Sequence, residues 1–138
     1  LVRALGEAGE IVASGVGVDL TRRDLQSALK ARSAPWETAK AFYQSAPAGP
    51  LRAGPPPAAG RIALSVNGET RQSGDLEQMI LPPQALLAEL GRFFRLGAGD
   101  LVLTGTPAGV GPLVPGDRVE ATIEGLPPLA FTIEGDAA

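Results

Sequence analysis

The chain has 138 residues, 44 % hydrophobic and 20 % charged, enough for one soluble domain with its own core. A net charge of −3 without a basic run argues against nucleic-acid binding, and no stretch approaches the roughly 18 apolar residues of a membrane span or reads as a signal peptide. Cysteine and histidine are both absent, which fits a reducing cytoplasm and excludes disulfides, thiolate chemistry, a Ser-His-Asp system and imidazole metal ligands within this chain.

The 18 glycines and 13 prolines are spread along the chain, so many turns and short strands are expected. Leu1 to Ser14 reads as a helix, with Leu1, Leu5, Ile11 and Val12 apolar and Glu7 and Glu10 outward. Val16 to Leu20 reads as a strand that ends at a polar site, Asp19. Thr21 to Arg32 is a second helix, with Thr21 as N-cap, Asp24 three residues on, and Leu25 and Leu29 on its buried face. Pro35 to Tyr43 is irregular or briefly extended and carries the only Trp and the only Tyr. Pro47 to Gly60 holds five prolines and three glycines and is expected to be a loop without regular structure.

Arg61 to Val66 alternates as a strand, Asn67-Gly68 is a two-residue hairpin turn, and Glu69 to Gln72 returns. Gly74 to Met79 is a turn or short helix. Pro82-Pro83 opens a helix to about Phe94, with Leu86, Leu87, Leu90, Phe93 and Phe94 on one stripe. Leu101 to Leu103 is a buried strand, and Arg118 to Glu124 and Leu129 to Glu134 are the last two. The class is α+β, β-rich with a few helices, in a single domain.

Asp19 ends an apolar strand, where a bare carboxylate is costly. It is either a ligand to a hard divalent ion such as Mg²⁺ or a helix N-terminal carboxylate. Arg23 and Gln26, three apart, share a helix face. They suit a keto-acid, Arg by a bidentate grip on a carboxylate and Gln by donating to a carbonyl; the alternative is a surface pairing of Arg23 with Asp24. Arg22 and Lys30 are read as solvent-facing. Lys40, one of two lysines, lies between Trp36 and Phe42. It is either a group that stabilises developing enolate charge or a snorkelling surface lysine. Thr106 either offers its hydroxyl and N–H to a substrate carboxylate or satisfies its own turn. Glu120 reads as an exposed strand residue paired across the ladder with a basic partner. Gly109-Val-Gly111 is no phosphate loop, because no Lys-Ser/Thr follows it.

Four segments occur in one order: Val16-Gly-Val-Asp-Leu-Thr-Arg-Arg-Asp-Leu-Gln26, Pro35-Trp-Glu-Thr-Ala-Lys-Ala-Phe42, Val66-Asn-Gly-Glu-Thr-Arg-Gln72 and Leu103-Thr-Gly-Thr-Pro-Ala-Gly-Val-Gly111. Together they resemble the C-terminal part of the catalytic domain of the fumarylacetoacetate hydrolase family, from about Gly15 to Ile133. The resemblance implies a β-rich roll with a divalent metal at its mouth, Mg²⁺ or Mn²⁺ with Ca²⁺ as a further candidate. It also implies a 2-keto or 1,3-diketo acid substrate whose enolate the metal stabilises. Members hydrolyse a C–C bond between two carbonyls, decarboxylate, or isomerise; they are commonly homodimers.

By the same resemblance Asp19 matches a metal ligand, Lys40 an active-site lysine, and Arg23, Gln26 and Thr106 substrate contacts. Glu120 falls where some members carry a glutamate that orients a lid histidine. The family's metal site also needs a Glu-x-Glu pair upstream of Asp19. Only Glu7 and Glu10 precede it here, and their spacing does not match. The chain is therefore expected to be an N-terminally incomplete part of that domain, or else a non-catalytic binding or oligomerisation module on the same fold.

Overall fold

The computed structural model describes residues 1–55 and 57–135. Its second half is organised by the expected hairpin: β4 (Arg61–Val66) pairs antiparallel with β5 (Glu69–Asp75). Asn67 and Gly68 take φ of 53° and 82°, the left-handed pair that matches the twist of a two-residue hairpin. Asn67 does more than turn the chain. Its Oδ1 accepts from the Arg118 N–H at 2.9 Å, and its Nδ2 donates to Asp117 Oδ1 at 2.8 Å. The Val114 N–H and then the Asn67 amide hold the Asp117 carboxyl below the usual carboxylate range. Asn67→Ala removes both side-chain bonds and puts a strained residue at positive φ. It is expected to destabilise by about 1–3 kcal/mol, read as a lower urea midpoint; Asn67→Gly should lose less, since only the bonds go.

β7 (Arg118–Ile123) lies on the other side of β4, and β8 (Leu129–Thr132) beside β7, giving the order β5-β4-β7-β8. β7 shows the period of a half-covered strand: Val119, Ala121 and Ile123 are buried, while Glu120 and Thr122 face out. A 3₁₀ turn at Leu76–Gln78 follows β5, closed by an Asp75–Gln78 capping box. This is the expected turn or short helix between Gly74 and Met79.

The first half departs from expectation. Leu1 to Ser14 is not a helix but an antiparallel pair, β1 (Val2–Leu5) and β2 (Ile11–Gly15). Between them Gly6 to Glu10 form a turn, with Gly9 at φ 77°. β1 is central, with both edges paired, to β2 and to β6 (Leu101–Leu103), and all four of its residues are buried, so both its faces are covered as well. Such a strand has no two-residue alternation, and a short apolar run then matches a helical period equally well. Arg3 at its centre is 1 % exposed. Its Nη1 donates to Ser14 Oγ at 2.8 Å, and burial pushes the guanidinium down to about 10.

The Pro-rich loop is not wholly irregular. Arg52–Ala53 forms a two-residue strand, β3, on β2, completing the sheet β3-β2-β1-β6; Pro56 of that loop lies outside the described residues. The second sheet carries a core of Ala121, Ile123, Leu126 and Leu129 with Leu76, which Leu1 and Val16, next to β1 and β2, also join. Two helices flank the sheets, α1 (Arg23–Ala31) and α2 (Pro83–Leu90). α2 is shorter than expected. Leu86, Leu87 and Leu90 are half-buried, but Phe93 and Phe94 lie beyond the helix in a turn and are exposed. Among the described residues no helix is long and apolar enough to cross a membrane.

Candidate active site

Val16 to Leu20 runs extended but is not a strand of either sheet. It is bonded instead to the segment at 45–49. The Val18 and Leu20 N–H groups donate to Pro47 and Ser45 carbonyls, the Gly49 N–H donates to Val16, and Gly17 forms a single bridge with Ala48. This fixes Asp19 at the lip of the molecule, about half exposed.

Lys40 reaches the same place from another element. A 3₁₀ turn at Glu37–Ala39 buries Ala39 completely, and the Ala39 carbonyl accepts from the Arg22 N–H at 3.0 Å. That contact locks the turn against the start of α1 and delivers Lys40 just beyond it. Lys40 Nζ lies 2.7 Å from Asp19 Oδ2 and donates to Thr21 Oγ1 at 2.8 Å. Thr21 is consequently not the N-cap. The helix starts at Arg23 with Arg22 as its cap residue and no side-chain cap bond; Thr21 lies one residue further out, and its hydroxyl accepts from Lys40 instead. The half-exposed ion pair contributes at most about 1 kcal/mol to stability. Its consequence is positional. An ammonium has three protons, and with two committed the third can point into the cleft.

The aromatic residues on either side of Lys40 in sequence do not enclose it. The Lys30 ammonium lies 4.7 Å from the Trp36 ring centroid, and the Arg22 guanidinium 4.7 Å from that of Phe42. Arg22 and Lys30 are thus exposed but engaged.

Arg23 projects from the first turn of α1. Its partner is not Asp24: Nη1 donates to Gln26 Oε1 at 2.8 Å. Gln26 is buried at 7 % exposure and is not among the residues that line the cleft. Its amide oxygen is thus taken up by Arg23.

Thr106 sits in the loop after β6, exposed, and its Oγ1 accepts from Gln72 Nε2 at 2.7 Å. Asp19, Thr21, Arg23, Lys40, Gln72 and Thr106 all line one open cleft of about 1880 Å³. That is larger than the 300–1,000 Å³ typical of a small-molecule pocket, so polar groups at its rim rather than enclosing walls must orient a ligand. Donors dominate that rim. Arg23 and Lys40 bring positive charge to it and Thr106 a hydroxyl, groups of the kind that bind carboxylates and oxyanions.

Glu120 is not brought to this cleft. It projects from the outer face of β7, where Arg118 Nη2 donates to its Oε1 at 2.7 Å. The basic partner is on the same strand, two residues back, and not across the ladder, where Ser65 and Ala130 lie opposite.

Asp19 has the chemistry of one oxygen ligand for a hard cation. Among the described residues, however, no group of three or more His, Cys, Asp or Glu could hold a metal ion. One carboxylate already paired with an ammonium does not by itself fit a divalent site.

A family model described as fumarylacetoacetate (FAA) hydrolase C-terminal matches residues 6–134. The chain belongs to the fumarylacetoacetate hydrolase family. Oxaloacetate tautomerase YcgM of Escherichia coli is 47 % identical over 119 residues, which cover 83 % of this chain and 54 % of that protein. A fumarylpyruvate hydrolase of Ralstonia is 34 % identical over 145 residues, covering 96 % and 76 %. The crystal structure of fumarylpyruvate hydrolase from Pseudomonas aeruginosa in complex with Mn²⁺ and pyruvate superposes with a TM-score of 0.91. Its identity is 39 %, over 96 % of this chain and 63 % of that one. The chain thus spans about half to three quarters of these relatives' length, and the β-rich α+β architecture expected from the four segments is the one found.

Thr21 and Gln72 line this cleft as well. In the sequence a Thr before a helix with an acid three residues on fits a cap, and a glutamine within a strand signals nothing until its partner loop is known.

Proposed function

We propose that this chain forms part of a divalent-metal-dependent enzyme that enolises 2-keto acids. Acylpyruvates and oxaloacetate-like acids are the substrate class, and the outcome is C–C hydrolysis or keto–enol tautomerisation. The observation that carries the reading is the Lys40–Asp19 pair at 2.7 Å, on a cleft whose other polar groups, Arg23 and Thr106, suit a carboxylate. The Mn²⁺ and pyruvate in the P. aeruginosa relative support the choice of cofactor and acid. The ion, held by Asp19 together with ligands from beyond this chain, would supply Lewis-acid polarisation of the keto oxygen.

The chain's own residues then do the following. Arg23, oriented by Gln26, and Thr106 fix the substrate carboxylate. Lys40 directs its third N–H toward the oxygen on which negative charge grows, a position preorganised by Asp19 and Thr21. Glu120 is left out of this scheme, because Arg118 engages it on the opposite face. The exposed Ile80, Phe93 and Phe94 supply apolar area for the homodimer that the resemblance implies.

In the full-length protein with Mn²⁺, fumarylpyruvate should lose its enol absorbance or oxaloacetate should exchange its enol and keto forms faster than in buffer. Asp19→Asn is expected to weaken Mn²⁺ binding by calorimetry at least about tenfold. Turnover of neither acid would sink the reading, and wild-type Mn²⁺ affinity in Asp19→Asn would remove Asp19 from the ligand set.

A further inference from the structure

Gln72 is the one buried residue of β5, at 8 % exposure. A buried amide in the middle of an otherwise exposed strand needs partners, and it finds them in the loop after β6. Its Nε2 donates to Thr106 Oγ1 and to the Pro107 carbonyl, both at 2.7 Å. The backbone follows the same path. A side-chain carbon on Gly109, whose φ is 98°, would collide with the Arg71 carbonyl, and one on Gly74 would come within 3.1 Å of Pro107 Cβ. The loop therefore lies flush on β5, pinned at its centre by one amide.

The two bonds also fix a polarity. A carbonyl oxygen only accepts, so the Pro107 oxygen forces the nitrogen of the amide, not its oxygen, toward the loop. The same nitrogen meets Thr106, whose Oγ1 must then accept. A hydroxyl that accepts from an N–H keeps its own proton for another partner. Thr106 is exposed on the cleft, so that proton is directed to whatever oxygen acceptor enters it.

We infer that Gln72 is a positioning residue for ligand binding: it holds Thr106 in place and makes its hydroxyl an obligate donor to the carboxylate of the bound acid. The inference rests on the keto-acid reading of the cleft and adds to it a residue that acts only through Thr106.

The test is pyruvate binding to the Mn²⁺-loaded full-length protein, measured by calorimetry with melting curves alongside. Loss of one charge-assisted bond is worth about tenfold in Kd. Thr106→Val should show that loss and Thr106→Ser should not. Gln72→Met, which keeps the shape without the donors, should match Thr106→Val, and adding it to Thr106→Val should cost nothing further. Gln72→Glu should weaken binding more than Gln72→Met, because the new carboxylate draws the Thr106 proton to itself. The inference is overturned if Gln72→Met binds like wild type, if the two losses multiply in the double variant, or if Thr106→Val leaves Kd unchanged. A Gln72→Met that lowers the melting midpoint without weakening pyruvate makes Gln72 purely structural and overturns it too. If the wild-type protein itself binds no pyruvate, the keto-acid reading falls instead.

Discussion

Lys40→Met is expected to lower kcat about 100- to 1,000-fold, the usual cost of removing one preorganised donor from a developing oxyanion. The fold should survive. Lys40 and Asp19 are 30 % and 53 % exposed in their side chains, so the orphaned carboxylate is left to water rather than stranded in the core. Because the lysine acts on charge that appears only along the reaction, kcat and kcat/KM should fall together. Lys40→Arg should rescue little. A guanidinium is larger and holds its protons in a rigid planar fork, so it does not reproduce the compact point charge between Asp19 and Thr21. The measurement is steady-state kinetics on the acid that the full-length protein turns over. A kcat within a few-fold of wild type would show that the Lys40–Asp19 pair is a surface contact.

Gly109→Ala should be the most damaging small substitution outside the core. Two penalties add at that position. Its φ of 98° lies where an L side chain is strained, and the new carbon would collide with the Arg71 carbonyl on the backbone of β5. A flexible side-chain tip could yield; the Arg71 carbonyl is backbone, at the bulge where β5 skips a register position against β4, and moving it disturbs the paired residues on either side. The loop must then lift, and both Gln72 bonds are lost with it. Strain and displacement together are expected to cost about 3 kcal/mol, on the order of 10 °C in Tm, with weaker pyruvate binding as well. Gly111→Ala is the control. Nothing lies within 4 Å of an added carbon there and its φ is ordinary, so both measurements should stay near wild type. If Gly109→Ala melts and binds like wild type, the loop does not rest on β5 as described.

How far the sequence is legible depends on how local the determining physics is. The β4–β5 hairpin is local: Asn67-Gly68 can satisfy positive φ at both turn positions, and Arg61–Val66 is found with the expected bounds. β1 is not local. Both its edges are paired, to β2 on one side and β6 on the other, all its residues are buried, and its β6 partners lie about a hundred positions away. Without them Leu1, Leu5, Ile11 and Val12 mimic a helix. The candidate site divides the same way. The residue types at 19, 23, 40 and 106 are interpretable one by one, and these side chains do line one cleft. Their pairings are not interpretable in that way. Thr21 serves Lys40 and not the helix, Gln26 serves Arg23, and Glu120 turns outward to Arg118. Each of these depends on where a second element arrives.

The pairing of Val2 with Leu103 also bears on how the chain acquires its structure. The β4–β5 hairpin closes a few residues and can form within microseconds. β1 must wait for a partner about a hundred residues downstream, with the entropy of closing that loop unfavourable until the contact is made. A nascent chain stopped before Leu101 would therefore carry β1 with one edge bare, and a bare apolar edge invites pairing with another chain. The cleft, whose loop follows directly on β6, is assembled late, so refolding should recover hairpin structure before it recovers the ability to hold a ligand.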